Sequence, residues 1–284
     1  MLRLLWCVVL LFMATGSLSA AANRSSFQSS DGVKLSLLEA GKTSRGAKAL
    51  TIALIPGWTM PATIWQRQID AFGRRYHTLA LDPRGQGESE IPRTGYTAER
   101  RATDIKEFLG SSSNVLLIGW SLGAIESLQY VHMFGSSQLA GLVLVDSSVG
   151  EGPARKPSGN FQERLRKDRD SAVNEFVRAI FATPRSDSEI AELASDAKRM
   201  ALKDSLALLD YPFERSHWRS ITRNFKKPLL YVATPQFEAQ AGYLKKSRPR
   251  TQVEIFRKAG HALFVDEPER FNTLVESFAK KLLR

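Results

Sequence analysis

The segment LLIGWSLGAIES, residues Leu116–Ser127, determines the fold that we expect of this chain. An apolar run leads into GWSLG, which is centred on Ser121, and a helical pattern follows. A serine that merely caps a helix needs no flanking glycines. A serine on a sharp strand-to-helix turn projects its hydroxyl outward, and Gly119 and Gly123 would let neighbouring backbone pass close to it. We therefore predict that Ser121 is a nucleophile.

Similar apolar runs without polar alternation recur along the chain. They cover residues 50–56, 77–82, 114–119, 142–146, 228–234 and 252–256, with helical patterns at 97–109, 123–134 and 267–283. Continuous apolar strands are typical of a parallel sheet that helices cover on both faces. An Asp31-Gly32 turn predicts a hairpin before them. The sequence therefore predicts an α/β fold with a mostly parallel central sheet flanked by helices.

The alternation of strands and helices stops between about residues 147 and 226. This interval has helical patterns and no convincing strand, and one helix is expected to begin at Ser186, which has capping-box spacing to Glu189. We predict a helical cap that is inserted between two strands and lies over the sheet.

The first 22 residues have the layout of a secretory signal peptide. Arg3 precedes an apolar core over residues 4–13, and small residues follow up to residue 22. The apolar core is shorter than the roughly 20 residues of a membrane span. We expect cleavage near residues 20–22, which leaves residues 23–284 as one exported domain, periplasmic or secreted, without stable membrane insertion. An uncleaved N-terminal anchor is the alternative.

The charge and cysteine content exclude several kinds of site. The formal net charge is +11, but basic residues are interspersed with acids, as in QERLRKDRDSAV at residues 162–173. No aromatic-basic module of the nucleic-acid-binding kinds is present, so we expect no nucleic-acid partner. The single cysteine, Cys7, lies in the predicted signal peptide. The mature chain would therefore have no disulfide, thiolate metal site or cysteine nucleophile, and we expect no metal or organic cofactor.

A serine nucleophile needs a base, and four histidines are available. We expect His77, at the start of a strand, to be structural and His132 to be a core or interface residue. For His217 we favour a surface or packing role, with contact to substrate as the alternative. His261 lies in KAGHALFVDEPERF, between the last strand and the last helix. That loop is expected at the same sheet edge as Ser121, so we predict that His261 is the base.

The acid that orients the histidine has two candidates. The loop after the next-to-last strand reads VATPQFEAQAGY and contains only one acid, Glu238. Asp146 ends the earlier strand GLVLVD and would also emerge at the catalytic edge. We favour Asp146 as the acid and keep Glu238 as the alternative.

Two backbone N–H groups are predicted to form an oxyanion hole. One belongs to Leu122, directly after the nucleophile, and the other to Trp58, after the strand that ends near Pro56. Proline has no N–H to donate, whereas Gly57 would let this loop approach Ser121. We also expect Trp58 and another tryptophan, Trp120, to wall the pocket, and Trp65 to belong either to that wall or to the core.

Four segments, in order, resemble the α/β-hydrolase superfamily, particularly its esterase, haloperoxidase-like and lactonase members with helical caps. They are LIPGWTMPATIWQRQIDAF, LALDPRGQGES, GWSLG and AGHALFVDEPERF. In this resemblance Pro56 replaces the usual histidine of the oxyanion segment, and LALDPRGQGES is structural rather than catalytic. Some haloalkane dehalogenases of the superfamily carry their acid at the position that Asp146 matches. Their nucleophile is an aspartate where this chain has Ser121, so dehalogenation is disfavoured.

The resemblance implies a serine hydrolase that cleaves a carboxylic ester, thioester or lactone of a small to medium substrate through an acyl-enzyme. Haloperoxidase-like members use the same residues for perhydrolysis, so a perhydrolase side activity is also implied. The alternative is a non-catalytic ligand-binding or sensing protein on the same fold. A third reading is a basic envelope protein whose function is its charge. The sequence predicts neither the natural substrate nor the oligomeric state.

Overall fold

The computed structural model describes residues 22–41, 49–152 and 160–284. The predicted signal peptide therefore lies outside the described residues, apart from Ala22. The eight strands of the described residues are β1 (Asn23–Gln28), β2 (Lys34–Ala40), β3 (Thr51–Ile55), β4 (His77–Asp82), β5 (Val115–Trp120), β6 (Leu139–Val145), β7 (Leu229–Ala233) and β8 (Gln252–Ile255). Its α-helices are α1 (Gln66–Phe72), α2 (Ala98–Leu109), α3 (Leu122–Phe134), α4 (Phe161–Lys167), α5 (Arg169–Ala179), α6 (Asp187–Ala197), α7 (Leu202–Ala207), α8 (Arg215–Asn224), α9 (Glu238–Ser247), α10 (Leu263–Asp266) and α11 (Pro268–Leu282).

All eight strands form one sheet in the order β1-β2-β4-β3-β5-β6-β7-β8. The pairs β1–β2 and β2–β4 are antiparallel, and all other neighbours are parallel. The hairpin predicted at Asp31-Gly32 joins β1 to β2. The structure thus confirms the predicted α/β fold with a mostly parallel sheet.

The central strand β5 shows why the sheet needs helices on both faces. Every residue of β5 is buried. Leu116, Ile118 and Trp120 belong to the apolar cluster on one face, while Val115 and Leu117 belong to the cluster on the other. Because burial of such a side chain contributes about 1.5–3 kcal/mol, a strand of this composition is stable only between two layers.

Different helices cover the two faces. One cluster contains residues of α1 and α11 together with residues of the insertion between β6 and β7. The other contains residues of α2, α3 and α9, and also of α8, the last helix of that insertion. At the edge of the sheet, β1 is short, polar and mostly exposed, which suits a strand with no further partner in the described sheet.

Five helices, α4–α8, occupy the described part of the insertion between β6 and β7, and residues 160–228 contain no strand. We call them the cap helices. The predicted capping box begins α6: Ser186 Oγ accepts from the Glu189 N–H at 3.2 Å, and Glu189 Oε2 accepts from the Ser186 N–H at 3.1 Å. Helix α8 packs against α3, where His217 Nε2 lies 2.9 Å from Gln129 Oε1.

Candidate active site

Ser121 is the single residue between β5 and α3, and its backbone is strained. Its φ is 54° and its ψ is −118°, a backbone conformation that residues other than glycine rarely adopt. Strain of this kind costs about 1–3 kcal/mol. The Ser121 hydroxyl makes no cap hydrogen bond to α3, so it does not act as an ordinary helix cap. The backbone N–H instead donates to Val145 O at 2.9 Å, which fixes the turn against β6.

Two glycines around this turn are required by close backbone approach, and a third lies in tight contact with Ser121. A Cβ atom on Gly119 would lie 2.4 Å from the Gly123 carbonyl oxygen, and one on Gly123 would lie 2.4 Å from the Pro56 carbonyl oxygen. A Cβ atom on Gly57 would lie 3.1 Å from Ser121 Cβ. These distances agree with the steric reason for which the sequence pattern demands glycine. They also place the loop after β3 directly against Ser121.

The structure brings together the side chains of Ser121, His261 and Asp146. His261 Nε2 lies 2.8 Å from Ser121 Oγ, and His261 Nδ1 lies 2.7 Å from Asp146 Oδ2. The sheet register explains this meeting, because Trp120 pairs with Val145 across two neighbouring parallel strands. The residues that follow them, Ser121 and Asp146, therefore emerge side by side.

Asp146 is completely buried, yet both of its oxygens accept hydrogen bonds. Oδ1 accepts from the Thr234 N–H at 2.7 Å and from Thr234 Oγ1 at 2.8 Å. Oδ2 accepts from Gln236 Nε2 at 2.6 Å and faces His261. The carboxylate is thus compensated on every side, as a buried charge must be, and its orientation toward His261 is fixed.

The alternative acid, Glu238, lies elsewhere. It begins α9 and forms a two-pronged pair with Arg257, with distances of 2.9 and 2.5 Å. The Arg257 guanidinium lowers the pKa of Glu238. Asp146, not Glu238, is therefore the carboxylate in hydrogen-bond contact with His261. The loop that carries Glu238 supplies Gln236 instead, a neighbour of Asp146 that is not predicted from the sequence, because an amide carries no signal of the kind that marks a candidate acid.

A second buried carboxylate, Asp266, holds the loop of His261. It accepts from the Gly260 N–H at 2.8 Å and, across the molecule, from the Ala182 N–H at 2.8 Å. Burial alone would raise the pKa of Asp266, but these hydrogen bonds and those from Thr183 lower it overall. Asp266 thus links the histidine loop to the turn between α5 and α6. Asp266 lies within the segment AGHALFVDEPERF, but no role is predicted for it from the sequence.

Ser121 opens into a cavity of about 310 Å³ between the sheet edge and the cap helices. Its walls are Trp58, Ser121, Leu122, Ile125, Ser147, Leu208, Leu209, Tyr211 and Trp218. None of these side chains carries a formal charge. Trp58 lines the cavity as predicted, and its Nε1 donates to the carbonyl oxygen of Ser205 in α7 at 2.7 Å.

The other two tryptophans do not line this cavity. Trp120 is almost fully buried and packs behind His261, with Nε1 donating to the His261 carbonyl oxygen at 2.9 Å. The expectation that Trp120 walls the pocket is therefore wrong, because it points to the face of β5 that carries Leu116. Trp65 is core, stacked on Phe264 with 3.8 Å between ring centroids.

The two residues predicted to form the oxyanion hole face the same cavity as Ser121. Leu122 is the first residue of α3, a position at which the backbone N–H has no intrahelical acceptor. Trp58 follows Gly57 on the loop that touches Ser121. The partial positive charge at the start of α3 favours negative charge at this point. The assignment of the two N–H groups as oxyanion donors stays a prediction.

The remaining histidines have other neighbours. His77 Nε2 lies 2.6 Å from Glu39 Oε1 at the far end of β4. His217 Nε2 lies 2.9 Å from Gln129 Oε1, and its ring lies 4.7 Å from that of His132. Burial and the proximity of His132 lower the pKa of His217. His261 is thus the histidine that the fold brings to Ser121.

The described ranges, residues 22–41, 49–152 and 160–284, were also informative about metals and membranes. No group of three or more histidine, cysteine, aspartate or glutamate side chains is placed there to hold a metal ion. None of the helices in those ranges combines the length and the apolar character that crossing a bilayer requires.

Comparison with known proteins agrees with this fold. A pimeloyl-[acyl-carrier protein] methyl ester esterase of Vibrio atlanticus is 21% identical over 258 residues, which cover 81% of this chain and 94% of that protein. An esterase from Exiguobacterium antarcticum has a similar structure, with a TM-score of 0.77, 23% identity, and coverage of 90% of this chain and 99% of that one. A bromoperoxidase from Bacillus anthracis gives a TM-score of 0.78, with 21% identity and coverage of 90% and 100%. These structural likenesses show the α/β-hydrolase fold. The model of the alpha/beta hydrolase family matches residues 52–274, and the chain therefore belongs to that family.

Proposed function

We propose that this protein is a serine hydrolase that cleaves a carboxylic ester, thioester or lactone. The observation that carries the proposal is the contact of Ser121 Oγ with His261 Nε2 at 2.8 Å, while His261 Nδ1 contacts Asp146 at 2.7 Å. A nucleophile, a base and an acid in this order match the geometry of hydroxyl activation. The names of the Vibrio and Exiguobacterium relatives, both esterases, support ester chemistry over other reactions of the family.

The first half of the reaction acylates Ser121. His261 Nε2 takes the hydroxyl proton while Ser121 Oγ forms a bond to the substrate carbonyl carbon. The negative charge moves to the carbonyl oxygen, where the N–H groups of Leu122 and Trp58 stabilise it. Asp146 holds the imidazole in the tautomer that can accept this proton and stabilises its positive charge. The C–O or C–S bond then breaks, and Nε2 returns the proton to the leaving alcohol or thiol.

The second half frees the acid. Water gives a proton to His261 Nε2 and attacks the acyl carbon, and the proton then passes to Ser121 Oγ as the acyl bond breaks. If hydrogen peroxide takes the place of water, the same steps release a peracid. We include this perhydrolysis in the proposal as a side reaction.

The cavity supports an uncharged substrate group of small to medium size. Its volume of about 310 Å³ lies at the lower end of small-molecule sites, which span about 300–1,000 Å³. A charged group placed among Leu208, Leu209 and Trp218 would lose hydration without gaining an ionic partner.

A fluorophosphonate probe tests the proposal and distinguishes it from a ligand-binding protein. We expect the folded wild type to be labelled and to hydrolyse p-nitrophenyl butyrate, and Ser121→Ala to do neither. Ser137→Ala, at an exposed serine outside the cavity, is the matched control and should behave as wild type. A folded wild type that resists labelling and hydrolysis would favour the binding protein. Activity retained in Ser121→Ala would refute the proposed nucleophile. It would agree with the third reading, a basic envelope protein whose function is its charge.

We also propose that the chain is exported. The pattern of the first 22 residues supports this location: a basic start, an apolar core and small residues before the expected cleavage position. The test fuses these residues to alkaline phosphatase that lacks its own signal and determines the N-terminus of the mature fusion. Activity outside the cytoplasm with cleavage near residues 20–22 is expected. An inactive, unprocessed fusion would contradict export, and an active but uncleaved one would favour the N-terminal anchor.

A further inference from the structure

A continuous line of hydrogen bonds runs from the cavity wall to the loop that carries Trp58. It begins at Tyr211, which follows α7 and lines the cavity. The Tyr211 hydroxyl donates to Glu126 Oε1 at 2.9 Å. Glu126 lies on α3, five residues after Ser121, and its side chain is buried. The cap is therefore bonded to the helix that begins at the nucleophile.

Glu126 forms a buried ion pair with Arg101 of α2. Arg101 Nε lies 2.8 Å from Glu126 Oε1, and Arg101 Nη2 lies 3.2 Å from Oε2. Each side chain is 1% exposed. Burial alone would lower the pKa of Arg101, but the Glu126 carboxylate raises it overall, so the guanidinium keeps its proton. Loss of either partner would leave a buried charge without its counter-ion, which is strongly destabilising. Substituting these two residues would therefore test stability rather than catalysis.

Gln86 continues the line to the loop after β3. Arg101 Nη2 donates to Gln86 Oε1 at 2.9 Å, which fixes the orientation of the amide. Gln86 Nε2 then donates to the carbonyl oxygens of Gly57 at 3.1 Å and Met60 at 2.8 Å. These two carbonyls flank Trp58, whose N–H is the proposed oxyanion donor. Gln86 is completely buried, so water cannot replace its contacts.

We propose that Gln86 is a positioning residue that holds the oxyanion loop, and that Tyr211 reaches this loop through Glu126 and Arg101. The inference rests on the proposed function, because only an acyl-transfer enzyme uses the loop for an oxyanion. It gives LALDPRGQGES, which contains Gln86, a role in catalysis beyond the structural one expected from the sequence. It also implies that Tyr211, in the cavity wall, affects stabilisation of the transition state through its hydrogen-bonded connection to this loop.

The test uses two mild variants, Gln86→Met and Tyr211→Phe, and the double variant. The chain offers a matched control elsewhere, at Gln138. Its Nε2 also donates to two loop carbonyls, at 2.8 and 2.9 Å, and its Oε1 accepts from the Tyr130 hydroxyl at 3.1 Å. Gln138→Met and Tyr130→Phe therefore remove the same kinds of contact away from the cavity.

We expect Gln86→Met to lower kcat by about 10- to 100-fold with KM within about twofold, because one oxyanion donor contributes about 10²–10³ in kcat and is displaced rather than deleted. Tyr211→Phe should lower kcat about three- to tenfold in wild type and produce no further loss in the Gln86→Met background, since residues that act in one line are not additive. Both control variants should keep the wild-type kcat. Independent, multiplicative losses from Gln86→Met and Tyr211→Phe, or losses confined to KM, would overturn the inference.

Hydrogen exchange of the peptide that covers Gly57–Met60 gives a readout independent of catalysis. Both Gln86→Met and Tyr211→Phe should speed its exchange, while the control variants should not. If Gln86→Met does not fold, the exchange and kcat of Tyr211→Phe decide the matter. If the folded wild type lacks esterase activity, the proposed function fails, but the exchange data still show whether the line holds the loop. Unchanged exchange in Tyr211→Phe refutes the link.

Discussion

Replacing Asp146 by asparagine is the sharpest test of the assigned acid, because the surrounding donors dictate how the new amide must lie. If the amide nitrogen takes the place of Oδ1, it faces the Thr234 N–H across 2.7 Å, a backbone donor that cannot reverse. If it takes the place of Oδ2, it faces His261 Nδ1 across 2.7 Å and Gln236 Nε2 across 2.6 Å. Both of these partners can adapt, because an imidazole can change tautomer and a side-chain amide can turn over to present its oxygen. The second orientation is therefore favoured, and it forces the proton of His261 onto Nε2.

A proton on Nε2 leaves no acceptor for the hydroxyl of Ser121. In Ser-His-Asp enzymes the wrong tautomer costs about 10⁴-fold in kcat. At 1.36 kcal/mol per factor of ten, this is about 5 kcal/mol of transition-state stabilisation. The fold should survive, because asparagine fills the same space and keeps the Thr234 bonds.

The assay compares kcat for p-nitrophenyl butyrate in Asp146→Asn and Glu238→Gln. The second variant is the matched control, because it neutralises an exposed carboxylate whose pairing with Arg257 is screened by solvent and adds little to stability. We expect it to retain the wild-type kcat. The reasoning is refuted if folded Asp146→Asn keeps a tenth or more of the wild-type kcat, or if Glu238→Gln is the variant that loses activity.

Three further predictions concern stability and protonation. Gly123→Ala should prevent folding or lower Tm by many degrees, because the added Cβ would lie 2.4 Å from a carbonyl oxygen. The control Gly242→Ala, whose added Cβ has no atom within 4 Å, should raise Tm slightly. Equal Tm values for the two variants would contradict this account. Asp266→Asn should lower the free energy of unfolding most at neutral pH. The lowered pKa of Asp266 in the folded protein contributes stability that is present above the pKa of the unfolded chain, near 3.8, and is lost as the pH falls through the folded-state pKa. A decrease in the free energy of urea unfolding that does not change with pH would contradict this prediction. NMR titration should place the His217 pKa below 6.5, and His132→Ala should raise it; no change in that variant would exclude the proposed charge effect.

The turn at Ser121 was predictable because its requirements are local. A buried strand, two glycines and a helix start stand within a few residues of Ser121, and each has one physical reason. His261 and Asp146 were also accessible, since the carboxyl ends of parallel strands share one edge of the sheet. The prediction that Trp120 lines the cavity was wrong about the face of β5 on which this side chain lies. A strand with apolar residues on both faces gives no alternation from which that side can be read.

The supporting contacts were beyond a reading of the sequence because they join distant parts of the chain. Tyr211 and Glu126 are 85 residues apart, and Ala182 and Asp266 are 84 apart. Nothing in the spacing of Gln236 distinguishes an amide that donates to a buried carboxylate from an ordinary loop glutamine. Such partners follow only from the packing of the cap on the sheet.

The bond from Asp266 to the turn between α5 and α6 limits how this protein can be redesigned. Exchange of caps between relatives treats the insertion as a module that alters substrate choice alone. Here the incoming segment must also supply the Ala182 N–H and the Ile180 carbonyl, which accepts from the Ala262 N–H at 2.7 Å. A chimera that lacks them would lose the alignment of His261 even with a well-shaped cavity. Grafts that retain residues 180–183 from this chain are the ones expected to yield working hybrids.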